Sequence, residues 1–138
     1  MAYVSMPYVV AYIASLIVFG GVDAIWLSVM GPLVYRPALA EILAPSLRPV
    51  PALVFYLCFP VGIVVFGAVP GLRSGSLAAA FTLALLFGAI AYSTYDLTNY
   101  ATLRVWTLQI TILDICYGAL ASGIAAVVAC LAMRAVMH

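Results

Sequence analysis

Residues 77–101 read LAAAFTLALLFGAIAYSTYDLTNYA, and no Asp, Glu, Lys or Arg interrupts them between Leu77 and Tyr95. At about 1.5 Å per residue a helix over this stretch exceeds the ~30 Å hydrocarbon core of a bilayer. A membrane β-barrel would need apolar and polar side chains to alternate, and the run from Ala78 to Ala91 does not. The stretch therefore predicts a spanning helix that admits one acid, Asp96, near its end. Three more gaps between charges are long enough to span, from Met1 to Asp23, Arg48 to Arg73 and Asp114 to Arg134. Composition agrees: of 138 residues 68% are hydrophobic and 7% charged, with a mean hydropathy of +1.28. Soluble domains have about 45–50% and about 25%. Too few polar side chains exist to cover a globule in water, and such hydrophobicity also excludes a disordered chain.

The reading is an all-α, multi-pass membrane protein. It forms one domain over residues 1–138, a bundle of four helices at about 8–34, 51–69, 77–101 and 108–133, with both termini on one side. Pro32, Pro37, Pro45, Pro49 and Pro51 punctuate the first connection, and Pro70, Gly71, Ser74 and Gly75 the second. A very short turn around Arg104 to Thr107 makes the third. The first stretch lacks a cationic leader and continues through Asp23 and Trp26, so it is expected to remain in the mature chain rather than act as a cleaved signal. Net charge is +1, from five Arg and no Lys, which leaves no basic patch for nucleic acid. Cys58, Cys116 and Cys130 form no CxxC pair and are read as apolar packing. The one histidine, His138, ends the chain, leaving a haem or typical zinc site almost without ligands; no cofactor is indicated.

Depth in the bilayer follows from alternating helix direction. With the termini on side A, Asp23, Asp96 and Asp114 all fall toward side B. An ionised Asp at the bilayer centre costs ~2.5–3.5 kcal/mol on insertion scales, so three in one half are candidates for a site. Helical spacing gathers partners around them: Trp26 and Met30 with Asp23; Tyr92, Asn99 and Tyr100 with Asp96; Thr111, Tyr117 and Gly118 with Asp114. Tyr95, Thr98 and Thr102 form a neighbouring polar stripe. Arg104 in the third turn, and Arg36 and Arg48 in the long side-B connection with Tyr35 and Glu41, are expected to bend inward and pair with the acids. A plainer use of the same residues is to fix the register of the bundle through interhelical hydrogen bonds and ion pairs. Tyr3, Tyr8, Tyr12 and Trp106 are expected in the interfacial belt. Gly118 with Ser122, and Ala119 with Gly123, permit close helix approach. Pro60 is expected to kink the second helix.

Through DAIWL at residues 23–27, the Phe55-Tyr56 pair, AYSTYDLTNYATL at 91–103, Trp106 and DICYG at 114–118, nearly the whole chain resembles a family of prokaryotic membrane proteins, domain of unknown function 2177. Where the family pattern carries Trp, this chain has Tyr117, which keeps a ring but loses the indole N–H. The resemblance implies a small four-helix integral protein of the prokaryotic cytoplasmic (inner) membrane and supplies no catalytic assignment. Three functions compete. The first is a binding or transport site for a cation, proton or small polar solute, with adjacent acids sharing protons and a homo-oligomer completing the pathway. The second is an intramembrane enzyme acting on a lipid or isoprenoid, with an aspartate as general acid or Mg²⁺ ligand. The third is an accessory subunit of a larger membrane complex.

Overall fold

In the computed structural model, residues 2–138 are described, with side chains from Ser5 onward; the Tyr3 side chain lies outside the described residues. Four helices are long and apolar enough to cross a membrane: α1 (Ser5–Leu39), α2 (Pro49–Arg73), α3 (Leu77–Thr102) and α4 (Leu108–Met137). No strand occurs among the described residues. Their surfaces suit lipid, with Ile17 67% and Leu33 69% exposed.

α1 and α2 outrun their expected ends for a shared reason. Pro37 and Pro70 have no N–H to continue an α-helix, and their rings press on the carbonyl four residues back. Each is preceded by one widened turn, Gly31–Tyr35 in α1 and Val64–Ala68 in α2. There the hydrogen bonds close over five residues, from the Arg36 N–H to the Gly31 carbonyl and from the Val69 N–H to the Val64 carbonyl. A widened turn re-spaces the carbonyls before the ring, so both helices pass through their prolines. Pro32 and Pro37 therefore lie inside α1, not in a connection. Pro49 and Pro51 occupy the first turn of α2, where a missing N–H costs nothing. After Pro60, which is buried, the Val64 N–H reaches both the Pro60 and Val61 carbonyls.

The α2–α3 turn closes with the Ser76 N–H on the Gly71 carbonyl and the Gly75 N–H on the Leu72 carbonyl. This geometry needs a left-handed residue, and Gly75 supplies it with φ +67°. The Ser76 and Thr107 side chains then accept the Ala79 and Ile110 N–H groups, starting α3 and α4.

α3 and α4 make the most extensive helix pair. A Cβ on Gly88 would sit 2.4 Å from both the Gly118 carbonyl and Ser122 Oγ. The small residues thus set the helix spacing, as their pattern predicts. Toward side A the core is Ala11, Val64, Ala68, Ala80, Ala129, Cys130 and Met133. Cys58 and Cys116, in contrast, lie on exposed faces. Toward side B the end of α1 packs on the α3–α4 turn, where Leu39 meets Trp106 and Ile110. Trp106 is accordingly buried, with its Nε1 donating to Thr111 Oγ1 at 3.2 Å, and does not join an interfacial belt. Tyr12 is half-buried and ties α1 to α2 through its hydroxyl, on the exposed Leu57 carbonyl at 2.8 Å; Tyr8 is exposed.

Candidate functional site

The three aspartates are buried, at 6% exposure for Asp23, 0% for Asp96 and 8% for Asp114. Buried carboxylates need donors, and the expected source was arginine. The structure supplies phenols. Asp23 accepts from Tyr117 Oη at 2.8 Å and from Tyr56 Oη, so one side chain ties α1 to α4 and α2. Asp114 accepts from Tyr35 Oη, and Tyr35 in turn accepts from Trp26 Nε1 at 2.9 Å. The Trp26 ring stacks on Tyr117 at 4.2 Å with planes 8° apart, linking the two hydrogen-bond systems.

Arg104 turns outward and pairs with Glu41 at 3.4 Å, the two side chains 90% and 71% exposed. Arg36 and Arg48 are exposed too. The expected Asp–Arg network is therefore absent among the described residues. A guanidinium at the bundle end reaches water more cheaply than it can be drawn into the interior, whereas a phenol already inside brings its donor with little desolvation.

These groups border a cavity of about 600 Å³ toward side B. Asp23, Trp26, Tyr92, Tyr95, Asp114 and Tyr117 line it, joined by Tyr35, Trp106, Arg36 and leucines from the α1–α2 connection. A second, apolar cavity of about 390 Å³ lies between α2 and α3, lined by Phe55, Phe59, Ala91, Tyr92 and Tyr95. Tyr92 and Tyr95 form the wall common to both. Tyr92 is set over the bare backbone of Gly118, where a Cβ would meet its ring at 2.2 Å; Tyr95 meets Trp106 edge to face at 5.5 Å.

Other predicted residues fall outside this arrangement. Thr98 and Thr102 are exposed, with hydroxyls donating to the carbonyls of Thr94, Tyr95 and Thr98 on their own helix. Asn99 is half-buried one turn beyond Tyr95, in hydrogen-bond reach of the Tyr95 hydroxyl, so it touches the cavity wall only through that residue; its backbone carbonyl ends α3 by accepting the Leu103 N–H. Asp96 does not line the cavity. It lies behind it against Asp114, across the α3–α4 interface. No group of three His, Cys, Asp or Glu placed to hold a metal ion occurs among the described residues.

Residues 8–131 match the family described as predicted membrane protein (DUF2177). The chain belongs to this family. No curated protein and no solved structure matches it. With four apolar spanning helices, this DUF2177 member is a small multi-pass integral membrane protein of the lipid bilayer. The match covers all three acids and the phenols that serve them. Two of those phenols, Tyr35 and Tyr56, were not among the site residues expected from sequence. Tyr56 stood in the quoted Phe55-Tyr56 pair without an assigned partner, and Tyr35 was hidden by reading Pro32 and Pro37 as the end of a helix.

Proposed function

We propose that the side-B cavity binds a small organic cation within the membrane, as the recognition site of a binding or transport protein. The observation that carries this reading is the lining itself. Two buried carboxyls, Asp23 and Asp114, face the same space as the rings of Trp26, Tyr35, Tyr92, Tyr95, Trp106 and Tyr117. Arg36, exposed, contributes the cavity's one basic side chain. Aromatic faces attract alkylammonium groups through their quadrupoles, by ~2 kcal/mol or more when desolvated, and a carboxylate at the base of the pocket supplies the countercharge. The volume lies in the ~300–1,000 Å³ range of small-molecule sites. A hard metal ion would want more oxygen ligands than are gathered here.

Both tryptophans of the chain line this cavity, so intrinsic fluorescence reads its occupancy directly. Choline added to the purified protein in lipid nanodiscs should give a saturable fluorescence change, and the uncharged carbon isostere dimethylbutanol should give none. Asp114→Asn should weaken choline binding about tenfold or more. Equal responses to choline and its neutral isostere, or a linear response to both, would overturn the assignment.

A further inference from the structure

The proposed cation site leaves one group unused. Asp96 is completely buried, and neither carboxylate oxygen has a hydrogen-bond donor. The group it faces is the carboxyl of Asp114. Two ionised carboxylates are both acceptors and cannot bond each other; a single proton between them converts the contact into a strong O–H···O⁻ hydrogen bond. Gly88, Gly118 and Ser122 bring α3 and α4 to backbone contact on the side-A side of the pair, which keeps the two helices close where the carboxyls meet.

No neighbour offers another remedy. On α1 the Tyr35 hydroxyl is committed to Asp114, with Trp26 Nε1 donating to its oxygen, and Asp23 brings a third carboxyl rather than a cation. On α2 and α4, Tyr56 and Tyr117 spend their protons on Asp23. On α3 itself the ionisable neighbours are Tyr92, which interacts with Asp23 and Asp114, and Tyr95, which interacts with Asp96 and Asp114; neither hydroxyl donates to Asp96. Arg36 stays exposed at the cavity.

We infer that Asp96 and Asp114 hold one proton between them, and that a cation entering the cavity displaces it through Asp114, which borders both the pair and the cavity. The exchange is one for one. The O–H bond of the pair breaks, the proton passes to water at the cavity mouth, and the ammonium of the ligand takes over as countercharge to the freed carboxylate. The exchange rests on the cation reading above, whereas the shared proton is independent of it.

The two parts have separate readouts. Infrared spectra of the ligand-free protein in nanodiscs at neutral pH should contain the C=O stretch of a protonated carboxylic acid. That band should shift on ¹³C labelling of aspartate, which excludes Glu41, and disappear in both Asp96→Asn and Asp114→Asn while surviving in Asp23→Asn. Because the labelled wild-type protein gives the band unaided, misfolding of a variant does not decide the matter. Absence of the band in the wild type, or its survival in both Asn variants, overturns the shared proton. Choline should then bleach the band and release about one proton per molecule bound, measured with a pH indicator. Choline binding that leaves the band intact overturns the exchange while the cation site stands. A correctly assigned band in a protein that does not bind choline retains the proton pair and removes the cation reading.

Discussion

The two halves of the bundle are held by different forces. Toward side A the interior is small and apolar, with Gly67 and Gly71 letting α2 approach Ala80, Ala84 and Ala126 so closely that a single added Cβ would fall 2.4–2.9 Å from them. Toward side B the interior is large, aromatic and incompletely filled, and three helices are bridged by the tyrosine hydroxyls on Asp23 and Asp114. Lipid is as apolar as leucine, so burial alone gives helices little reason to associate there. Cohesion must come from close van der Waals contact or from hydrogen bonds, and this protein assigns one to each half. A half that must keep space for a ligand cannot be close-packed throughout, and polar bridges hold it open.

Each half should accordingly fail to a different kind of substitution. The largest effect is expected from Gly67→Leu, whose side chain has no room between Ala84 and Ala126. A loss above about 3 kcal/mol is predicted, read from reversible unfolding in mixed micelles, and wild-type stability would mean that contact is not what holds the side-A half. Next comes Asp23→Ala. It leaves the Tyr56 and Tyr117 hydroxyls without their acceptor, at about 1–3 kcal/mol for each donor left buried and unsatisfied. Adding Tyr56→Phe and Tyr117→Phe to that variant should recover most of the loss, since polar groups removed together leave no orphan. A triple variant as unstable as Asp23→Ala would assign the loss to volume, blurring the distinction between the halves. Tyr35→Phe, which removes one donor from Asp114, should cost about 1–2 kcal/mol. Arg104→Ala ends the series. Its ion pair with Glu41 is solvent-exposed, so a change below about 1 kcal/mol is expected at low salt and less still at high salt.

Four spans, their order and the turn after α3 could be read from charge spacing alone, because lipid makes the charge-free run itself the determinant of structure. The burial of Asp23, Asp96 and Asp114 followed from the same logic. Their partners did not. Scarce arginines look like the natural mates of scarce acids, yet Arg104 lies where water is close and needs no burial. Thr98 and Thr102 fit a polar stripe by helical spacing, but a threonine hydroxyl in a helix can be satisfied by the carbonyl one turn back, and these are. Tyr35 was concealed because prolines at 32 and 37 spell a break in any helix of regular pitch; only the widened turn reconciles them with a continuous rod. Similarly, nothing in the spacing of residues on α3 and α4 distinguishes a carboxyl at the cavity wall, Asp114, from one behind it, Asp96.

The Gly31–Tyr35 turn has a consequence for how length variation would act on this protein. A hydrogen bond that closes over five residues instead of four accommodates one extra residue without adding a turn, so it amounts to an insertion stored inside the helix. Removing one residue between Gly31 and Val34 would restore regular pitch and leave everything beyond it nearly in phase, whereas removing one from the regular part of α1 would rotate everything beyond the gap by about 100°. After the first deletion Tyr35 would still meet Asp114 and Leu39 would still meet Trp106; after the second both would swing away, although every membrane span stayed long enough to cross. The tuning element of the cavity is thus a matter of phase, and a single codon is its unit.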